Sequence, residues 1–429
     1  MKKKVKFCVF LTLSVMILIS GISPVVACIP RGTYVIDDDP DDGKNITDYL
    51  WSSNGRKIAY LMCPDDNALL YSACELWVAD WKCGRLWNKK LIYTGVEWAG
   101  LEDWQGDWIL FLMRHEVKPS DYNSTHATRE LWKIRDDGTD LTQVTFTNTN
   151  GIRTTWSNLA YKNMGTASNG RFIPGTDLIV FSAHNGNGWY RLFVCNADGT
   201  DDWYRVSNEY SFLWSMSPTG NKLVWGHAGY WNYPTTLYSS DVNGSNKILV
   251  KSSNLYRLAP YILADGNTLI FRYSAAADWA GYPPVPATLE GNIYAINLDG
   301  SNERTILDDD YLNYYENYNP IDEEALLMSS NRSKDGNMHI YTLNVDGTGI
   351  VQLTKGPYND ETAIYSPTGQ YIMYRRLPED YVKDRTNLPY PYDLVIVKVW
   401  HWYRHHYPYW SHWCCHCYTR HHNKMCNRF

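Results

Sequence analysis

His115, His184 and His227 are the residues of this chain best placed to do chemistry. Each follows a short apolar run, four to six residues beyond its first aliphatic, Ile109, Ile179 or Leu223. Imidazoles gathered on one rim are ligands for a divalent metal, and a bound metal would supply a Lewis acid. The spacing from the aliphatic differs by one residue from copy to copy, so along an extended backbone the side chains leave on alternate sides. That irregularity favours exposed or locally hydrogen-bonded rings. The metal set stays an alternative, and no cofactor is assigned.

Other ligand-type residues have simpler readings. The run at 37–43, DDDPDDG, offers carboxylates for calcium, but it misses the D-x-D-x-D-G spacing by one residue and no Glu follows to complete it. A solvated acidic segment is expected there. The last 30 residues, 400–429, hold seven of the twelve histidines, four of the ten cysteines and no acid. Cys414, Cys415, His416 and Cys417 are soft ligands for zinc or copper, yet their spacing matches no closed structural zinc pattern, and a disordered tail is the expectation. Cys195 takes the place held by Ile134, Ile296 and Leu343 in sister segments and reads as a buried hydrophobe. Among Cys63, Cys74 and Cys83, an oxidising compartment would form one disulfide, with Cys63 to Cys74 the natural cross-hairpin pair.

The amino terminus predicts that compartment. Lys2, Lys3, Lys4 and Lys6 precede an apolar run from Phe7 to Ile22, and Val25-Val26-Ala27 offers the small residues of a signal-peptidase site. Residues 1–27 read as a signal peptide, and the apolar run falls short of the roughly 20 residues that span a bilayer. Val25-Val26-Ala27-Cys28 also fits a lipobox, which would place a lipid on Cys28. Four N-x-S/T sequons, at Asn45, Asn123, Asn243 and Asn331, are expected in surface loops. The net charge of -6, with no basic block, argues against nucleic acid as a partner.

The elements that must position these residues follow from a repeat. An aromatic recurs at Trp77, Trp132, Phe193, Tyr238, Tyr294 and Tyr341, spaced 45 to 61 residues apart, and each copy then turns at Gly84, Gly138, Gly199, Gly244, Gly300 or Gly347. Asp-Gly and Asn-Gly between alternating strands mark hairpins. Seven short apolar strands form a second series, the clearest introduced by Ser217-Pro218-Thr219-Gly220 and Ser366-Pro367-Thr368-Gly369. Units of this length, without helices between them, predict a β-propeller: an all-β ring of seven four-stranded antiparallel blades over 48–399. Residues 28–47 read as a lead-in, whose Thr33-Tyr34-Val35-Ile36 would supply the strand missing after Val399, so that both chain ends close the ring.

The Ser-Pro-x-Gly turns, the loop Ser329-Ser330-Asn331-Arg332-Ser333-Lys334-Asp335-Gly336-Asn337 and the phrase Ile340-Tyr341-Thr342-Leu343-Asn344-Val345-Asp346-Gly347-Thr348 resemble the repeat of TolB-like propellers. That repeat also occurs beside prolyl oligopeptidase and tricorn-type protease domains. The resemblance implies fold rather than activity, because its motifs form turns and packing. Seven copies, where TolB looks six-bladed behind an α/β domain, depart from a TolB orthologue, and no G-x-S-x-G nucleophile elbow occurs. Some seven-bladed lyases of oligogalacturonides resemble this architecture and use a histidine-bound metal, which is what an enzymatic alternative would imply for His115, His184 and His227.

Aromatics that the repeat does not demand are the better surface candidates: Trp98, Trp104, Trp189, Trp231, Trp279 and Tyr282. Exposed Trp and Tyr stack on sugars or anchor protein partners. The reading is therefore an exported, monomeric, non-catalytic scaffold that recognises a protein or a cell-surface glycan. It would do so through loops on one face, around His115, His184, Trp189, His227, Trp231 and the 273–291 insertion with Trp279 and Tyr282. Alternatives are a metal-assisted polysaccharide lyase or hydrolase at the channel mouth and a structural cell-envelope repeat protein.

Overall fold

A computed structural model describes residues 33–36, 44–64, 73–97, 100–115, 128–145, 166–184, 190–200, 203–227, 235–253, 260–273, 291–377 and 392–399. Every regular element among them is a strand. A short β1 (Thr33–Ile36) precedes blade 1, which is β2 (Lys44–Trp51), β3 (Lys57–Pro64), β4 (Ala73–Lys82) and β5 (Arg85–Glu97). Blade 2 is β6 (Gly100–Gln105), β7 (Trp108–His115), β8 (Thr128–Arg135) and β9 (Thr142–Gln143). Blade 3 is β10 (Thr166–Phe172), β11 (Leu178–His184), β12 (Tyr190–Asn196) and β13 (Trp203–Arg205). Blade 4 is β14 (Phe212–Met216), β15 (Lys222–His227), β16 (Thr235–Asp241) and β17 (Ile248–Ser253). Blade 5 is β18 (Tyr261–Ile262), β19 (Thr268–Arg272), β20 (Ile293–Asn297) and β21 (Arg304–Leu307). Blade 6 is β22 (Asn313–Tyr318), β23 (Ala325–Ser330), β24 (His339–Asn344) and β25 (Val351–Gln352). Blade 7 is β26 (Asn359–Tyr365), β27 (Tyr371–Leu377) and β28 (Asp393–Lys398), with β1 antiparallel to β28 in the register Thr33 to Val397 and Ile36 to Leu394.

The seven blades are antiparallel four-stranded units, as the repeat predicts; six run in consecutive strand order, β1 supplies the fourth strand of blade 7, and one parallel bridge, Thr166 to Arg129, joins blades 2 and 3. The six recurring aromatics all fall on the third strand of a blade, and the second series of strands is β3, β7, β11, β15, β19, β23 and β27. A blade cannot cover both faces by itself. Each of the seven hydrophobic clusters is shared by two neighbouring blades: Leu61 and Leu76 meet Ile109 and Phe111, for example, while Ile270 and Ile293 meet Leu326 and Met328. The cluster with Trp51, Ile58 and Trp81 of blade 1 takes in Met373, Leu394 and Ile396 of blade 7 and Ile36 of β1. Cys195 is buried within the cluster of blades 2 and 3. Cys63 and Cys74 form a disulfide between β3 and β4. Cys83 is also disulfide-bonded.

The turn motif has two physical reasons. In Asp137-Gly138-Thr139, Asp198-Gly199-Thr200, Asp299-Gly300-Ser301 and Asp346-Gly347-Thr348 the aspartate accepts the backbone N–H two residues on at 2.9 Å and the hydroxyl at 2.6 to 2.7 Å. These bonds stabilise the ionised carboxylates and hold them below their usual pKa, so the aspartates act as turn formers. The glycine that follows has a positive φ and also abuts the preceding blade: a Cβ on Gly199 would sit 2.5 Å from the Gln143 carbonyl oxygen, and one on Gly347 2.0 Å from that of Ile306. The same residue thus makes the hairpin and seats it on its neighbour.

One expected loop aromatic proves to be core. Trp104 lies in β6 opposite Ile109, buried in the cluster of blades 1 and 2, because the strand continues past the point where the repeat became unreadable. The sequon at Asn45 likewise lies in β2 with its side chain buried, which removes it from the surface set. The 37–43 run, Trp98 and the 400–429 tail lie outside the described residues.

Candidate functional site

Seven inner strands, β2, β6, β10, β14, β18, β22 and β26, line the axis of the ring. Six of them break register against the second strand. The breaks fall at Ile46/Asp48, Leu101/Asp103, Ser168/Arg171, Leu213/Ser215, Tyr315/Asn317 and Glu361/Ile364. A bulge re-aims side chains and releases backbone groups from the ladder. In four blades the residue after the break, Asp48, Asp103, Ser215 or Asn317, accepts a backbone N–H from the next blade: Leu101 at 2.8 Å, Phe172 at 2.8 Å, Ile262 at 3.0 Å and Tyr365 at 3.4 Å. Blade 3 reaches blade 4 through Asn169 to the Leu213 carbonyl and through Ser182, which accepts the Leu213 N–H. Blade 7 reaches blade 1 through Arg375 Nη2 to the Thr47 carbonyl at 2.9 Å, and Tyr49 donates back to the Thr362 carbonyl at 2.5 Å.

The skipped residues include two acids whose carboxyls are shifted far from their usual range. Glu102, in the bulge of β6, lies 3.3 Å from Arg171 Nη1 of β10, and Arg171 also donates to the Glu102 carbonyl. Burial pushes the Glu102 carboxyl up to about 7 against the pull of Arg171. Glu316, the equivalent bulge residue of β22, accepts from Ser329 and from the Thr362 N–H, and burial again pushes it up to about 7. Asp48 and Asp103 are raised for the same reason. Arg171 keeps 40% of its side-chain surface accessible although protein surrounds it, the condition of a channel wall.

One end of the ring collects guanidinium groups stacked on tyrosines. Arg191 lies 4.5 Å from the Tyr210 ring, Arg272 4.6 Å from Tyr314, Arg332 5.5 Å from Tyr311, Arg375 4.7 Å from Tyr392 and Arg376 4.8 Å from Tyr358. All five arginines sit at the end of a second strand or the start of a third, the end of the sheet from which the 116–127, 185–189, 228–234, 274–290 and 378–391 connections leave. The loop that carries the family-like phrase is tied down here. Arg332 bonds Asp309 at 3.0 Å and Asn313 at 2.8 Å, and the fully buried Asp360 takes a two-point bond from Arg376 at 2.8 and 3.1 Å. Buried His339 lies 3.1 Å from Asp335, and its Nδ1 is 3.9 Å from Asp360.

His115, His184 and His227 end β7, β11 and β15, so all three backbones reach this same end. Counted from Phe111, Phe181 and Trp225, which pair with the recurring aromatics, they stand four, three and two residues on, and are not structurally equivalent. His227 is half-buried with its ring 5.7 Å from that of Tyr210. The side chains of His115 and His184 lie outside the described residues, as do Trp189, Trp231, Trp279, Tyr282, Cys28 and Cys414, Cys415, His416 and Cys417. Among the described residues no group of three His, Cys, Asp or Glu is placed to hold a metal. No helix among them is long and apolar enough to cross a membrane.

The site that does assemble, Asp48, Glu102, Arg171, Glu316 and Arg375 with Tyr49, was missed by sequence reasoning. One signal was present: an acid followed by an aromatic near the end of an inner strand, Asp48-Tyr49 and Asp103-Trp104, where each aspartate also accepts the next N–H at 2.8 Å.

No known family profile and no curated protein matches the sequence. Solved structures do. The β-propeller domain of the Trilobed protease from Pyrococcus furiosus aligns over 82% of this chain and 95% of that one, with a TM-score of 0.54 at 11% identity. A puromycin-hydrolysing peptidase of Mycobacterium tuberculosis aligns over 88% of this chain with a TM-score of 0.54 at 12% identity, and this chain spans only 53% of its length. A putative TolB from Agrobacterium tumefaciens aligns over 69% of this chain and 76% of that one, with a TM-score of 0.36 at 13% identity. What the chain shares with the first two of these proteins is the fold, a β-propeller.

Proposed function

We propose that this chain is an exported, non-catalytic binding scaffold that recognises a cell-surface glycan or protein through the arginine–tyrosine end of the ring. The observation that carries this reading is the asymmetry between the two ends. One end is made of tight turns whose aspartates are consumed by their own backbone. The other presents five guanidinium–tyrosine pairs around the channel mouth. Arg and Tyr are enriched in binding hot spots, Tyr because it offers flat, amphipathic area with few rotors to freeze and Arg because its planar fork of donors is preorganised. A rigid ring adds preorganisation, so little conformational entropy is lost on binding.

The test is a defined-oligosaccharide array, with purified cell-envelope proteins beside it, probed with the native chain and with Arg191→Ala/Tyr210→Ala. A turn-end control, Asp299→Ala, should bind as the native chain does. Binding that drops tenfold or more in the double variant alone supports the reading. Binding unaffected by the double variant, or turnover of any bound oligosaccharide, overturns it.

A further inference from the structure

A histidine packed between two carboxylates fastens the connection between β23 and β24 at the arginine–tyrosine end. His339, the first residue of β24, is buried, with Nε2 3.1 Å from Asp335 of that connection and Nδ1 3.9 Å from Asp360 of β26 in the next blade. The same place in the sister copies, just before the aliphatic–aromatic pair, holds Glu75, Glu130, Arg191, Thr236 or Asn292. Of the six copies, blade 6 alone puts there a side chain whose ordinary pKa lies close to neutrality.

A neutral imidazole has one N–H and cannot serve both sides. With the proton on Nε2 it donates to Asp335, and the buried, unbonded Nδ1 turns its lone pair toward Asp360; the other tautomer turns a lone pair toward Asp335. The imidazolium presents an N–H to each carboxylate. The charges around it balance only in that form. Arg376 of β27 is taken up by Asp360 at 2.8 and 3.1 Å and by the Tyr374 hydroxyl at 2.9 Å, and Arg332 by Asp309 at 3.0 Å, so that among the described residues Asp335 has no cation except His339. Asp360 and then Asp335 raise the imidazole above its ordinary value of 6.5, against the opposing effect of burial. Asp335 in turn organises its loop: it accepts the Ser333 hydroxyl and the Asn337 N–H at 3.1 Å, while the Gly336 N–H bonds the Ser333 carbonyl at 3.0 Å. Met338 then joins blade 6 to blade 7, with its N–H on the Asn359 amide oxygen at 2.9 Å and its carbonyl on the Asp360 N–H at 2.8 Å.

We infer that His339 is a proton-operated latch: as an imidazolium it ties the 331–337 loop to blade 7, and as a neutral ring it lets go of Asp335 and the loop loosens. Arg332 in that loop and Arg376 beside Asp360 belong to two of the five guanidinium–tyrosine pairs, so the latch sets how firmly this part of the end is preorganised. The inference rests on the binding-scaffold reading above and describes the regulation of that same end. The direction follows from linkage: a proton held more tightly in the folded chain stabilises the tie fully below the ordinary value of 6.5, and that stabilisation is lost as pH rises through the higher folded value.

The experiment is hydrogen exchange of the full chain at pH 5.5, 7 and 8.5, with rates corrected for the intrinsic effect of pH and read as protection factors for 331–338 and, as a reference, for β14 to β17. The native chain should lose protection in 331–338 by tenfold or more between pH 5.5 and 8.5, while the reference strands change far less. His339→Gln and Asp335→Asn should give the low value at every pH. Glu316→Gln, which removes a carboxyl that titrates in an overlapping range, should keep the native response. Protection in 331–338 that does not vary with pH in the native chain overturns the latch without relying on any variant. A response that survives in His339→Gln assigns it to another group, and one shared equally by β14 to β17 makes it global; either result overturns the inference. No ligand enters this measurement, so its failure leaves the scaffold reading standing, and failure of the oligosaccharide and protein array leaves the latch standing.

Discussion

Glu316 shows how a single residue links the wall of the channel to the stability of the ring. Its carboxyl is raised from 4.5 to about 7 by burial, so the folded chain holds this proton more tightly than the unfolded chain does. Between those values the native state binds more protons than the unfolded one, and stability falls as pH rises through that window and levels off above it. Glu102 contributes with the same sign. Glu316→Gln keeps an acceptor for Ser329 and for the Thr362 N–H but carries no titration. Thermal melts from pH 4.5 to 8 should therefore fall less steeply in the variant and lie a few degrees above the native chain at pH 8. An unchanged slope would mean that Glu316 is ionised throughout. Asp360 is the opposite case: burial pushes its carboxyl up, but His339 and Arg376 hold it below the usual value. Asp360→Asn should cost about 1.5 to 3 kcal/mol in denaturant unfolding, because half-buried Arg376 loses its two-point bond to a carboxylate. None of these residues was legible in the sequence. The histidines drew attention by side-chain type, whereas Glu316 and Arg375 matter by convergence, and Tyr49 meets Thr362 across 313 residues of chain.

At the scale of elements, legibility followed locality. Second and third strands were readable because apolar alternation and the turn that ends them are written in consecutive residues. The inner strands were not, because a bulge breaks their period and their outward residues are polar or tyrosine, as in Asn313-Tyr-Tyr-Glu-Asn-Tyr318. The turn glycines allow a sharp test of what their motif does. Gly347 and Gly266 both have positive φ, but a Cβ on Gly347 would meet the Ile306 carbonyl at 2.0 Å while one on Gly266 meets nothing within 4 Å. Gly266→Ala should cost only about 1 kcal/mol, the conformational part. Gly347→Ala should cost at least twice that, since blade 6 must lift from β21 of blade 5, and chemical denaturation of the two variants side by side measures the difference. Equal losses would show that the turn is read for φ alone.

At the scale of the molecule, the question is how a chain of local units behaves as one body. Trp81, at the end of β4, is the residue where blade 1 meets blade 7: its ring lies edge-on to Tyr34 of β1 and Trp51 of β2 at 5.8 Å and to Tyr371 of β27 at 5.2 Å. Edge-to-face contacts of this kind add to the area each ring buries. In a linear array of repeats a lesion is felt by nearest neighbours only. Here the neighbours of blade 1 include blade 7, so damage at Trp81 should reach residues about 290 to 315 positions away in sequence without passing through the blades between. Trp81→Ala should cost about 3 to 5 kcal/mol, as for other large aromatic truncations. Hydrogen exchange should then speed up together in β1, β2, β27 and β28, while the amides of β14 to β17 on the far side keep their protection relative to the global unfolding limit. Acceleration confined to blade 1 would mean that its contact with blade 7 contributes little. Uniform acceleration in every blade would mean that the ring opens only as a whole, with the aromatic cluster around Trp81 as the place where opening begins.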